Sequence, residues 1–355
     1  MAYTGIFIGL VFGFAAQRGR FCIKSAFQDV QLFRDFTLLK SLLTALTVQL
    51  FGFGLLVALG WITPEAKPLY WAANVLGGLI FGIGMALAGG CAGSLTYRIG
   101  EGSGMAMTAI AGYFLASAMT AVGAFSPVVG YLQSTSLILA PGGAHPTLAS
   151  LLGLPYPAAA LGLAGLILVT WTFSLIRQGL PRNNIGKQHR FPLSKTPGTG
   201  SWSWPLTGLV VGMSGIGAFL LSPLSGRNYP LGITHGYVNL YKFTVGLKNE
   251  LAWDTTLILG VILGAGLAAF LAKEFELRLP PAKLALQIFT GGWLMGFGAV
   301  TAGGCTIGHI VSGVPLLSLG SFLTTISMFA GSWLMTWLLF HLLTRLGQPD
   351  HKAAS

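Results

Sequence analysis

Charge is what this chain has least of. Only 8% of its 355 residues are Asp, Glu, Lys or Arg, and just nine are acidic. An ordinary soluble domain carries about a quarter charged residues, so a fully water-facing surface cannot be built from this sequence. Carboxylates for a proton relay are equally scarce. Those near apolar runs are Glu101, Glu250 and Asp254, and the last two are expected at the outer interface. Cysteine is sparse as well: three residues are too few for a disulfide framework, and an odd number leaves one over. Without a Cys-x-x-Cys or a nearby acid–base pair, no catalytic residue, metal centre or cofactor is expected. A cleavable leader is not evident. The first apolar run, Tyr3 to Ala16, lacks a basic n-region and a small-x-small site, and reads as a retained span.

What the chain does have is apolar length. Hydrophobic residues make up 53% of it, the mean hydropathy is +0.73, and stretches near twenty residues recur. Each is long enough to cross roughly 30 Å of hydrocarbon as a helix, whereas a β-barrel needs short alternating segments. The expected fold is an all-α polytopic membrane protein with about nine crossings, plus short or broken helices. The crossings are expected near Met1–Ala16, Thr37–Gly60, Trp71–Arg98, Gly104–Phe125, Tyr156–Ile176, Trp204–Leu221, Trp253–Ala272, Lys283–Gly313 and Leu316–Leu343. Trp61, Trp71, Trp204 and Trp253 sit at span ends and suit interfacial anchors.

The net charge of +11 does not indicate nucleic acid, because the basic residues lie in connectors. Arg18, Arg20, Lys24, Arg34 and Lys40 follow the first span. Arg177, Arg182, Lys187, Arg190 and Lys195 fill the longest polar connector. Arg98, the Lys273–Lys283 segment and the tail with Arg345 and Lys352 fall on the same side under nine crossings. The positive-inside rule makes that side cytoplasmic and puts the N-terminus outside. Arg177–Ser203 reads as a solvated linker, with polybasic lipid binding as the alternative. The outer segment Ser126–Gly153 reads as a loop or a dipping hairpin.

Self-similarity organises the rest. "TGIFIGLVFGFA" at Thr4 resembles "TGLVVGMSGIGA" at Thr207, and "VLGGLIFGIGMALAGGCAGS" at Val75 resembles "IFTGGWLMGFGAVTAGGCTIGH" at Ile288. One half starts outside and the other from the cytoplasm, which makes an inverted-topology repeat. The division expected is 1–125 for the first repeat and 126–203 for the outer loop, an extra span and the linker. Residues 204–345 form the second repeat and 346–355 a polar cytoplasmic tail.

Each repeat breaks an apolar run at Gly-Gly-Cys, at Gly89-Gly90-Cys91 and Gly303-Gly304-Cys305. Glycine weakens a helix by nearly 1 kcal/mol relative to alanine, and unwound backbone at membrane depth must be buried in protein or line a cavity. Where a broken helix restarts, its free N–H groups favour an anion. Two such breaks in corresponding positions point to a transport site at which Cys91 and Cys305 approach each other. The plain alternative is close helix packing by small residues, with cysteine as a small hydrophobe. Symmetric recurrence, with the polar Ser94 and Thr306 after the breaks, favours the site.

Cys22, in "QRGRFCIKSAF", has no counterpart cysteine; Gly232–Ile233 takes its place. The basic Arg18, Arg20 and Lys24 argue for the inner surface, while Phe21, Ile23, Ala26 and Phe27 argue for burial. A segment folding back into the protein satisfies both. His309 could donate to an oxyanion or pack against a carbonyl. Arg98 either faces the anion or snorkels at the interface, and Glu101 is expected to pair with Arg98 or Lys24.

The stretches "GRFCIKSAF", "GGCAGSLTYRIGEGS" and "GGCTIGH" together resemble the YeeE/YedE family of sulfur transport membrane proteins, over residue 3 to about 340. The resemblance implies thiosulfate uptake across the bacterial inner membrane through an hourglass-like inverted repeat. It further implies that Cys22, Cys91 and Cys305 line the path and pass the anion by thiol hydrogen bonds. The resemblance carries roles onto those three cysteines only; from the breaks and their neighbours, Gly89, Gly90, Gly303, Gly304, Ser94, Thr306, His309, Lys24 and Arg98 are expected as supporting residues. The expected partners are the anion and the lipid bilayer, with a cytoplasmic sulfur-carrier protein as a further candidate. Relatives handling other sulfur or selenium compounds leave the solute open. The main rival is a membrane sulfurtransferase holding persulfide on Cys91 or Cys305; a purely structural subunit is the other.

Overall fold

Backbone polar groups in hydrocarbon have no water to bond, so an apolar chain of this length satisfies them within helices. The computed structural model describes residues 3–140, 143–177 and 200–346. The first half holds α1 (Thr4–Arg18), α2 (Ile23–Phe33), α3 (Thr37–Ala58), α4 (Trp71–Leu87), α5 (Ala92–Gly100) and α6 (Gly104–Ala121). Next come α7 (Ser126–Thr135), α8 (Leu148–Leu151) and α9 (Tyr156–Arg177). The second half holds α10 (Trp204–Leu221), α11 (Thr234–Thr244), α12 (Trp253–Leu271), α13 (Ala282–Ala302), a π-helical segment (Ile307–Gly313) and α14 (Leu319–Leu346). Among the described residues, eight helical stretches are long and apolar enough to cross a membrane. The apolar part of α9, Tyr156–Trp171, is shorter. The chain is an all-α polytopic membrane protein. Most of the basic linker and the polar tail beyond residue 346 lie outside the described residues.

Two expected spans are interrupted. Trp71–Arg98 divides into α4 and α5, and the run from Lys283 to Gly313 divides into α13 and the π-helical segment. The segment Ser126–Gly153 is not a plain loop. Its described residues form α7, strand β2 (Leu137–Ile138) and α8, with β2 pairing antiparallel to β1 (Leu69–Tyr70). Pro127 opens α7, and a Thr147–Ser150 capping box opens α8. The segment therefore ties the loop before α4 to the turn before α14, where the Leu148 amide donates to the Leu317 carbonyl at 2.8 Å.

Helix contacts cross between the halves and come in matched pairs. Helix α1 packs on α12 and α10 on α3; α13 packs on α6 and α14 on α4; α4 and α13 cross each other. Exchanging α1 with α10, α3 with α12, α4 with α13 and α6 with α14 turns each contact into its partner. The start of α1 lies beside the start of α12, where the Trp253 indole donates to Thr4 at 2.9 Å. The end of α1 lies beside the start of α10, where the Trp202 amide donates to the Arg18 carbonyl at 3.0 Å. Helices α1 and α10 thus run in opposite directions.

The α4–α13 crossing depends on glycine. A Cβ on Gly84 would lie 2.5 Å from the Gly291 carbonyl oxygen, and one on Gly298 would lie 2.5 Å from that of Gly77. Backbones touch there directly, which is how transmembrane helices gain dispersion contact without a hydrophobic drive. Trp61 and Trp71 are exposed, as anchors should be, but Trp253 is only 3% exposed. Its indole is held by Thr4 and covered by the Arg227 guanidinium at 5.2 Å, so it is a packing residue and not an anchor. Gly84→Val should lower stability by about 1–3 kcal/mol through overpacking, read as thermal unfolding in detergent. Gly162→Ala, inside α9 where nothing lies within 4 Å of an added Cβ, should instead raise stability, by up to about 1 kcal/mol.

Candidate functional site

The two glycines of each Gly-Gly-Cys motif do different jobs. The first takes a left-handed conformation, Gly89 at φ +75 and Gly303 at φ +83, which costs any other L-residue about 1–2 kcal/mol. The second gives clearance. A Cβ on Gly90 would come 2.9 Å from the Ser94 hydroxyl, and one on Gly304 would press on Lys67 and lie 3.2 Å from the His309 ring. The chain turns at the first glycine and restarts immediately after the cysteine.

At the first break Cys91 is the N-cap of α5, with extended backbone. Its sulfur accepts from the Ser94 amide at 3.4 Å, and the Ser94 hydroxyl donates to the Cys91 carbonyl at 3.0 Å. The Cys22 thiol donates to the same hydroxyl at 3.3 Å. Cys22 is itself the N-cap of α2, half-buried behind the turn that ends α1; the segment folds back into the protein as its mixed sequence requires. The structure therefore joins Cys22, Ser94 and Cys91 in one hydrogen-bonded line.

Cys305 stands outside that line. It is fully buried beside the Tyr113 hydroxyl, at the start of the π-helical segment. The two motifs meet through α5: a Cβ on Gly93 would lie 2.7 Å from Ile307 and 3.7 Å from Ile233. Ile233 is the N-cap of α11, the place Cys22 holds before α2. Four helix starts thus gather around α5, and the leading N–H groups of a helix have no intrahelical acceptor. Thr306 adds a fully buried hydroxyl that has no hydrogen-bond partner among the described residues.

The end of α13 is held from several elements. Gln133 on α7 donates to the Val300 and Thr301 carbonyls at 3.1 and 2.9 Å. Asn74 on α4 donates to the Ala302 carbonyl at 3.0 Å, and its Oδ1 accepts the Tyr70 amide at 2.7 Å. The Lys67 ammonium donates to the Gly303 carbonyl. His309 bonds the Ala302 carbonyl through Nε2 and the Ser321 hydroxyl through Nδ1, each at 3.1 Å. Both ring nitrogens are occupied, so His309 packs against a carbonyl.

The molecule has two polar faces. On one, Glu274 binds Arg18 at 2.6 Å and Arg20 at 3.1 Å, and Glu101 binds Arg20 at 3.1 Å. Glu101 therefore pairs with Arg20 and not with Arg98 or Lys24. Lys24 is half-buried and within electrostatic reach of Cys22, Cys91 and Arg98; Arg98 makes no ion pair among the described residues. The other face opens into a cavity of about 1370 Å³ that includes Lys67, Arg227, Tyr229, His235, Asp254 and Gly303 in its wall. Arg227 lies over the rings of Tyr229 and Trp253 and donates to the Tyr229 and Pro230 carbonyls at 2.7 and 2.6 Å. Burial lowers the Arg227 guanidinium and raises the Tyr229 phenol. Asp254 is buried in the first turn of α12 and accepts from Asn239 at 3.0 Å. Asp254 is thus tied down in the wall of that cavity.

Lys67, Asn74, Gln133 and Arg227 carry almost no mark in the sequence. Asn74 has the one available signal, a lone amide inside an apolar run. Gly303→Ala should cost about 1–2 kcal/mol because its φ is positive, measured as detergent-phase unfolding. Gly304→Ala should instead displace Lys67.

Known proteins resemble this chain over most of its length. The profile of the sulphur transport family matches residues 18–334. The thiosulfate transporter TsuA of Spirochaeta thermophila is 40% identical over 96% of this chain and 99% of its own length. The thiosulfate transporter TsuA of Escherichia coli is 32% identical over 96% of this chain and 95% of its own. A probable transporter YedE of Escherichia coli matches a shorter stretch, 36% identical over 22% of this chain. Two of these relatives are thiosulfate transporters and the third is a probable transporter. A multi-pass fold with two Gly-Gly-Cys breaks, matched by that profile over most of its length, belongs to the sulphur transport family of membrane transporters.

Proposed function

We propose that this chain imports thiosulfate, or a closely related sulfur oxyanion, across the bacterial inner membrane along a path lined by Cys305, Cys91 and Cys22. The observation that carries the reading is the line Cys22–Ser94–Cys91 at the start of α5, in a chain so similar to thiosulfate transporters over nearly its full length. A dianion leaving water needs donors that replace its hydration without holding it. Thiols are weak donors, and the gathered helix starts add N–H groups and a positive dipole end. The Thr306 hydroxyl, buried without a partner among the described residues, supplies a further donor. No bond of the solute breaks on this path; the solute passes between donors as each hydrogen bond is exchanged for the next.

Cys305 comes first on this reading, because its motif adjoins the cavity floor through Gly303 and Lys67. Cys22 comes last, behind the Arg18 and Arg20 ion pairs. Lys24 and Arg98 flank that end as cations. Residues 1–125 and 204–345 act as inverted repeats joined by 126–203, and the matched helix contacts support that division. The cavity faces outward and the ion-pair face is cytoplasmic, where a sulfur-carrier protein receives the anion. The basic connectors on that face support this orientation.

Cys91→Ala and Cys305→Ala should each cut thiosulfate uptake into proteoliposomes by roughly tenfold or more, the equivalent of one hydrogen bond to a charged group. Cys91→Ser should retain part of the rate. Stoichiometric persulfide on the working protein, seen by mass spectrometry, would replace the relay with sulfurtransferase chemistry. Equal uptake of sulfate, sulfite and selenite would remove thiosulfate as the preferred solute. For orientation, a fluorescent protein fused after Ser355 should fluoresce in cells, whereas alkaline phosphatase at the same point should stay inactive.

A further inference from the structure

The cavity wall is not positive as a whole. Lys67, Arg227 and Lys248 are balanced by Glu65, Glu250 and Asp254, so attraction of an anion to its floor falls to individual groups. Arg227 is committed to two carbonyls and two aromatic faces. Lys67 differs. It is 9% exposed, no carboxylate among the described residues pairs with it, and its ammonium rests on the Gly303 carbonyl and over the Tyr229 ring at 5.2 Å. An ammonium has three donors, and Lys67 commits one to that carbonyl. A Cβ on Gly304 would collide with its Nζ, and one on Gly308 would lie 3.4 Å from it. The ammonium therefore stands between the cavity and the backbone that leads to Cys305.

Its loop is fixed for the task. The Lys67 carbonyl accepts from the buried Ser318 hydroxyl at 3.0 Å, and β1 begins two residues later. The negative end of the α13 dipole, at Gly303, compensates the charge without a carboxylate that would compete with an incoming anion. We propose that Lys67 is the capture residue for the oxyanion at the cavity floor, holding it above Gly303-Gly304 before it reaches Cys305. The steps after capture rest on the transport reading, though capture itself can be measured without it.

Burial, reinforced by Arg227 and opposed by Cys305, brings the Lys67 ammonium down to about 8. The other charged or titratable groups facing it are Glu65, Tyr229, His235 and His309. A lysine is charged below its pKa, so capture is full near neutrality and declines as pH rises through about 8.

The test uses the full chain with Lys67→Gln, which keeps a donor for Gly303, and with Lys67→Arg, which keeps the charge. Thiosulfate uptake is measured in proteoliposomes with equal pH on both sides, from mildly acidic to strongly alkaline. In parallel, thiosulfate, sulfate and selenite are titrated into purified protein, with thermal stabilisation as the readout. Lys67→Gln should raise KM and the apparent Kd about tenfold or more while its melting temperature without anion stays close to wild type. Lys67→Arg should keep KM and lose the decline near pH 8. A cap alone would move the melting temperature and leave KM and the pH profile unchanged. Wild-type KM and Kd in Lys67→Gln, or an unchanged pH decline in Lys67→Arg, would overturn the assignment. If wild-type protein moves none of the anions yet binds them through Lys67, the transport reading falls and capture stands.

Discussion

A helix that stops inside a membrane leaves carbonyl groups with nowhere to turn, and the structure is arranged around meeting that demand. Each buried polar group left unmet costs about 1–3 kcal/mol, and the last turn of α13 exposes four carbonyls at once. They are met by Gln133 from α7, Asn74 from α4, His309 from the π-helical segment and Lys67 from the loop after α3. One helix end thereby fixes four elements, and with them the cavity floor and the approach to Cys305. The first break is held more lightly, with the Gln287 amide 3.5 Å from the Leu87 carbonyl.

The same asymmetry runs through the site. Helix contacts obey a two-fold exchange, but the side chains at the exchanged positions do not: Cys22 before α2 becomes Ile233 before α11. One face carries the ion pairs of Arg18, Arg20, Glu101 and Glu274, and the other holds Lys67 on a carbonyl and Arg227 on aromatic rings. A symmetric scaffold would offer an anion the same surroundings from both sides. This one does not.

Much of the fold was legible in the sequence because it depends on local composition. Apolar runs, glycine pairs and the similarity of Val75–Ser94 to Ile288–His309 are properties of neighbouring residues, and the helices and their breaks arise from them. The hidden part depends on distance. Lys67 reaches Gly303, Asn74 reaches Ala302 and Gln133 reaches Val300 across more than a hundred intervening residues, and no periodicity reports such meetings. Glu101 found Arg20 because the turn after α1 comes over the end of α5, a fact of packing and not of spacing. Trp253 reads as an anchor by position but is enclosed by Thr4 and Arg227. His309 kept two readings until the Ala302 carbonyl and Ser321 took both of its nitrogens.

The crossed pairing of helices has a consequence for how the chain is made. Helix α1 rests on α12 and α3 rests on α10, so the helices synthesised first find their partners among those synthesised last. Until the ribosome has delivered α12, the glycine face of α1 that packs on it has only lipid or earlier helices to lie against. Final assembly is therefore a late event, in which two provisional bundles interlock instead of one growing helix by helix. Neither half holds a complete interior of its own, and the protein becomes a single body only when both are in the bilayer.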